Sequence, residues 1–252
     1  MIYVRDSAEA LKGRKITKSP GSGTEHWNTV FFGARFSTGP GIGPHSVMTE
    51  MVPNEVVLQH FHGVTQFQIF PAGSGKIGKK AIELKPLILQ YKDHHTAYGP
   101  ITAGPQGLTF MSLRIKTGDA IPIYLDRPGY REKLKPSRRR NLFTPPLDLS
   151  TEQALKHRTQ ASWEPLFPAE KMDDGMAAHM LRLGPGMAAM GPDPGIAAGY
   201  YVFVANGGLS KDGAVLPLWS MVVVEPTEDA FEIKAGENGL EALVLQFPND
   251  DE

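Results

Sequence analysis

Apolar and polar positions alternate along this chain in short blocks rather than in helical sweeps. VVLQHFH (56–62), TQFQIF (65–70), PLILQY (86–91), LTFMSLRI (108–115), AGYYVFVA (198–205), WSMVVVE (219–225) and EALVLQF (241–247) are strand-sized runs rich in β-branched and aromatic residues. Several follow the period of two expected of strands with one face buried. Between them, 27 Gly and 21 Pro interrupt the chain too often for long helices. The pattern predicts an all-β protein.

The blocks repeat. AGPQGLTFMSLRI at 103–115 resembles AGENGLEALVLQF at 235–247, an offset of 132 (235 − 103). Pro53 meets Pro185 at the same offset (185 − 53 = 132), and Gly73-Ser74-Gly75 falls near Gly207-Gly208. An ordered set at one offset predicts two tandem copies of one β module. The expected organisation is an N-terminal extension over 1–40, a first module over 41–118, a linker over 119–150 and a second module over 151–252. The extension carries TVFFGARF, which could pair at a sheet edge. The linker holds Pro128, Pro136, Pro145 and Pro146 and a basic cluster from Arg131 to Arg140, read as a solvated connection. Ser150 and Gln153 are spaced as a capping box for a short helix, TEQALKH.

Composition narrows the function classes. At 252 residues the chain can bury a large core. A formal charge of −1 gives no net field toward nucleic acid or anionic membrane. Without cysteine there is no disulfide or thiolate ligand, so a bound metal would be held by nitrogen and oxygen. No secretory pattern opens the sequence and no apolar run approaches the ~18 residues needed to cross a bilayer. The expectation is a soluble, cytoplasmic protein.

Chemistry concentrates at HFHGVTQFQIFPAGSG (60–75). On a strand, His60 and His62 leave the same face, with Phe61 opposite. Gln66 follows a Gly-Val-Thr turn, and a third imidazole is available from His94 or His95 in YKDHHTAYGP. Such a set suits Fe, Ni, Cu, Zn or Mn, although Gln66 could equally hydrogen-bond nearby backbone. Phe61, Phe67 and Tyr91 could line either core or pocket. Ser22, Glu25 and His26 lack a nucleophile-elbow context and read as a loop. PAGSGKIGKK lacks the order of a phosphate loop and reads as a hairpin turn.

Asn54-x5-His60-x-His62-x3-Gln66-x6-Gly73 resembles the first motif of the cupin superfamily, with Asn54 and Gln66 where that motif has glycine and glutamate. The second cupin motif survives only at His95, with Lys92 and Gly99 at its glycine and asparagine positions. HFHGVTQFQIF together with AYGPITAGPQG is similar to a group of bacterial cupins, mostly without assigned function, carrying H-x-H-x3-Q-F-Q and Y-G-P-x3-G-P-x-G. The resemblance implies a bicupin of two small jelly-roll barrels. Its metal ligands transfer onto His60, His62, Gln66 and His95, with His95 preferred over His94 for its spacing.

The second module does not rebuild this site. At an offset of 133, Asp193, Gly195 and Gly199 face His60, His62 and Gln66, so that module is expected to be metal-free and to serve packing or homodimer formation. His179 reads as a core or surface residue. In the first module a neutral Gln66 would leave a more cationic centre than glutamate and favour an anionic, chelating small molecule. By resemblance to three-histidine cupins, the leading expectation is a non-haem dioxygenase using iron, or else nickel, manganese, zinc or copper. Tyr98 and Glu55 are candidate acid/base or positioning residues. The alternatives are a redox-neutral metal-dependent isomerase, lyase or hydrolase, and a non-catalytic small-molecule binder.

Overall fold

The computed structural model of the chain describes residues 1–19, 22–34, 43–116 and 121–249. The expected module boundaries at 40/41 and 118/119, and the Arg35-Phe36 end of TVFFGARF, lie outside the described residues. The chain forms two compact units, one of residues 13–147 and the other of residues 1–12 with 148–252. The alternating pattern is realised as antiparallel sheet throughout, as the all-β reading requires. Among the described residues, no helix is long and apolar enough to cross a membrane.

In the first unit the main sheet runs in the order Asn141–Phe143, Ile88–Lys92, Gln66–Ile77, Ile101–Arg114, His45–Met51, Glu25–Phe32 and Lys15–Lys18. Residues assigned by sequence to the extension and to the linker thus supply three of its strands. Register fixes which side chains meet. Gln66 lies opposite Lys92, and Gln68 opposite both Gln90 and Ser112. These polar residues share one face, while Phe67, Ile69, Leu89 and Tyr91 leave the other. All are buried. Phe67 and Tyr91 pack ring against ring, centroids 5.0 Å apart, so both belong to the packed core.

The long strands bend where glycine permits it. Gly73 has φ +76°, and a Cβ there would stand 2.5 Å from the Gly107 carbonyl. Gly107 itself has φ +82°. The pairing shifts register between Ala103 and Leu108 at this crossing.

The second unit repeats the plan. Its sheet runs Ile2–Arg5, Met221–Val224, Tyr200–Lys211, Glu232–Gln246, Ala177–Leu183 and Ser162–Pro165. Gly207 (φ +70°) and Gly239 (φ +79°) cross as Gly73 and Gly107 do. The strand preceding Asp6 pairs with Met221–Val224, the place that Asn141–Phe143 takes beside Ile88–Lys92 in the first unit. The short helix spans Glu152–Lys156, but its cap is Thr151, whose Oγ1 accepts from Ala154 N at 3.2 Å. Ser150, one residue before the cap, instead donates its hydroxyl to Glu241 Oε1 at 2.7 Å.

The two interiors differ in polarity. Matching registers place Tyr200, Val202, Val222, Val224 and Val244 where the first unit has Gln66, Gln68, Gln90, Lys92 and Ser112. All five belong to one apolar cluster with Leu181, Leu240 and Ala242. Asp193 caps the turn at Gly195 instead of facing an ion. His179 is partly buried against Trp163, rings 5.9 Å apart, and burial lowers its pKa.

Candidate metal and anion site in the first unit

His60 begins a two-residue strand that pairs with Ile123–Tyr124. Its backbone also bridges Tyr98, with N–H to carbonyl bonds of 3.1 and 3.0 Å in the two directions. This bridge sets the two side chains beside each other. The Leu58 carbonyl can only accept, so the 2.7 Å contact from His60 Nδ1 assigns the proton to Nδ1 and leaves Nε2 an acceptor. The Tyr98 hydroxyl donates to Nε2 at 2.7 Å. Gln66 Nε2 donates to the same phenol oxygen at 3.0 Å, and His62 Nε2 lies 3.2 Å from it. Three of the four predicted ligands therefore converge on Tyr98 Oη. Gln66 Oε1, also buried, has no hydrogen-bond partner.

His95 is placed elsewhere. Its backbone has φ +53°, its N–H donates to the His62 carbonyl at 2.7 Å, and its ring lies against Phe61 with centroids 5.5 Å apart. Among the described residues, no three His, Cys, Asp or Glu side chains come together as a metal set. His94 is half-buried beside His95, with its N–H on Thr65 Oγ1 at 3.2 Å.

Two buried basic side chains, Lys92 and Arg114, flank the convergence point. Lys92 Nζ stands 3.2 Å from the centroid of the Tyr98 ring and donates to Gln68 Oε1 and Gln90 Oε1. Arg114 Nη1 meets His45 Nδ1 at 3.0 Å, and Nη2 lies 3.4 Å from His62 Nε2. His45 Nε2–H donates to the Ala34 carbonyl at 2.7 Å, which keeps its Nδ1 lone pair turned to the guanidinium. Burial, with repulsion from Lys92 and Arg114, lowers the His60 pKa to about 3. Burial and Arg114 push Lys92 well below the usual lysine range. Burial pushes the Tyr98 phenol up, against the pull of Arg114 and the Gln66 amide.

These groups open onto a cavity of about 100 Å³ lined by His26, His45, His60, His62, Tyr98 and Arg114 among others. Among the described residues, none that lines it is Asp or Glu. Glu55 stands behind the wall. Its Oε1 holds His26 Nδ1 at 2.7 Å and its Oε2 accepts from Val52 N at 3.2 Å. Glu55 is thus buried and acts on the cavity through His26, which the sequence had placed in a plain loop. Arg114 and His45 stood in no motif, and Lys92 and Gln68 occupied motif positions to which no role was given. Their signal is a polar residue at every second position of an apolar strand, as in Gln66/Gln68, Gln90/Lys92 and Ser112/Arg114.

Known structures match this architecture along the whole chain. YhhW from Escherichia coli, in complex with nickel(II), superposes with a TM-score of 0.57 at 12% identity, covering 99% of this chain and 100% of its own. The chain has the bicupin fold. A variant of oxalate decarboxylase from Bacillus subtilis matches at 11% identity over 98% of this chain and 77% of the other, TM-score 0.57. A variant of salicylate 1,2-dioxygenase from Pseudoaminobacter salicylatoxidans matches at 11% identity over 82% and 71%, TM-score 0.52. No family model matches this chain's sequence, and no curated protein does.

Proposed function

We propose that the first unit is a metal-dependent enzyme site, of the dioxygenase type, for a small carboxylate or enolate. The carrying observation is the buried Arg114 guanidinium, in one cavity with convergent neutral donors and, among the described residues, no lining carboxylate. Two imidazoles and an amide fit a divalent transition metal, and the partnerless Gln66 Oε1 is an oxygen donor that such an ion would satisfy. His60, His62 and Gln66 would hold it. When bound, the ion supplies Lewis-acid polarisation and access to redox chemistry at a chelated substrate.

The chain's own residues do the rest. Arg114, held by His45, takes the anionic group. His26, oriented by Glu55, presents an imidazole to the same cavity for proton transfer. A cavity of about 100 Å³ limits the substrate to a small molecule or to the head of a larger one. The structural neighbours named for oxalate and salicylate, both small carboxylates, and the nickel(II) complex of YhhW agree with this reading.

The His26–Glu55 pair favours one second reading, a redox-neutral isomerase, lyase or hydrolase, because it moves protons without electrons. Oxygen uptake by iron-loaded protein across a panel of small oxo-, hydroxy- and aromatic acids separates them. Uptake coupled to substrate loss is expected. Turnover under strict anaerobiosis selects the redox-neutral reading, and binding without turnover a non-catalytic one.

A further inference from the structure

Arg114 marks one end of the cavity, and we infer that Asn28, Thr49 and His26 form a second, polar subsite at the other end, which takes the hydroxyl of an aromatic hydroxy-carboxylate whose carboxylate lies on Arg114. The inference rests on Arg114 as the holder of the anionic group and needs no ion. His45 and Thr49 leave the same face of the strand His45–Met51, four residues apart, and both line the cavity. Arg114 pairs across the sheet with His45, and Asn28 with Thr49. The cavity therefore has two polar ends, about 13 Å apart along the strand at ~3.3 Å per residue. Val47 lies between them, and Val57, Ile101, Phe110 and Tyr124 add apolar wall. A ring with its carboxylate and hydroxyl at opposite positions, with a hydrogen bond of about 2.8 Å added at each end, covers roughly that span.

The far end has the chemistry of a hydroxyl site. Asn28, Thr49 and His26 are all buried. One N–H of the Asn28 amide donates to Thr17 Oγ1 at 2.7 Å, and the amide oxygen accepts from Thr49 Oγ1 at 3.1 Å. That leaves the second Asn28 N–H to donate and the Thr49 oxygen to accept. His26 Nδ1 donates to the Glu55 carboxylate at 2.7 Å, so the neutral ring offers Nε2 as an acceptor. A hydroxyl both donates and accepts, and matches this set. A second carboxylate only accepts, and it would meet the negative charge of Glu55 behind His26. The fold itself does not call for polarity here. The second unit has Trp163 and Leu181 at the register positions of Asn28 and Thr49.

The test is titration calorimetry of the full chain with benzoate, para-hydroxybenzoate and terephthalate, in wild type, Asn28→Leu/Thr49→Val, Thr49→Val and Arg114→Met. Wild type should bind para-hydroxybenzoate about tenfold more tightly than benzoate, and more tightly than terephthalate. The double variant should bind benzoate as wild type does and lose the preference for the hydroxyl. Thr49→Val removes one acceptor at nearly constant volume and should lose part of that preference, which keeps the test decisive if the double variant does not fold. Arg114→Met should weaken all three ligands by about tenfold or more. Equal binding of benzoate and para-hydroxybenzoate to wild type overturns the inference alone, and so does a preference that survives intact in Thr49→Val. Binding of none of the three to wild type, or binding unchanged in Arg114→Met, overturns the reading of Arg114 and the inference with it.

Discussion

Burial beside Lys92 and Arg114 keeps His60 neutral down to a pKa of about 3, whereas in the unfolded chain the same imidazole protonates near 6.5. A pKa depressed on folding means that the unfolded state binds the extra proton first. The contribution of His60 to stability is therefore complete above about pH 6.5 and is lost as the pH falls toward 3, with a slope of up to about 1.4 kcal/mol per pH unit. Urea midpoints taken from neutral pH down to about pH 4 should fall, and less steeply in His60→Asn. Arg114→Met removes the guanidinium from the cavity and should weaken binding of oxalate or salicylate by about 10- to 100-fold, as titration calorimetry would show. His60, His62 and Gln66 were legible in the sequence because their spacing is local. The proximity of Tyr98 to His60 was not, since it depends on a backbone bridge between segments 38 residues apart. Arg114 was legible only as an arginine interrupting an apolar strand, a signal that needs its partners to be interpreted.

The elements were legible as strands from their period and their punctuation. What the pattern could not supply was pairing. Lys15–Lys18 and Glu25–Phe32 join the first sheet, although a sequence reading leaves them outside the repeat. The glycine crossings carry a sharp test. Gly73→Ala forces a Cβ against the Gly107 carbonyl at 2.5 Å as well as a positive φ, and should cost more than the ~1–2 kcal/mol of left-handed strain alone. Gly78→Ala has a similar φ of +75° but meets nothing within 4 Å. Its cost should stay near that strain, so chemical denaturation should rank Gly73→Ala clearly below Gly78→Ala. Equal losses would mean that the close approach adds nothing.

At the scale of the whole molecule, one plan has been filled in two ways. The first unit lines its interior with Gln66, Gln68, Gln90, Lys92, Ser112 and Arg114. The second puts tyrosine and four valines at the first five of these places, and Gln246 at the sixth. The internal repeat announced the duplication, and the missing histidines set the expectation of a metal-free second module. Neither revealed how thoroughly the second interior is apolar, because that follows from register. Val202→Gln should destabilise the chain by about 1–3 kcal/mol, since the new amide would be buried among aliphatic side chains without a partner. The most direct test of the account is elemental analysis of the native protein beside a His60→Ala/His62→Ala double variant. The account predicts one transition-metal ion per chain in the native protein and none in the variant. Only trace metal in the native protein, with no uptake on reconstitution, or equal metal in both, would contradict it.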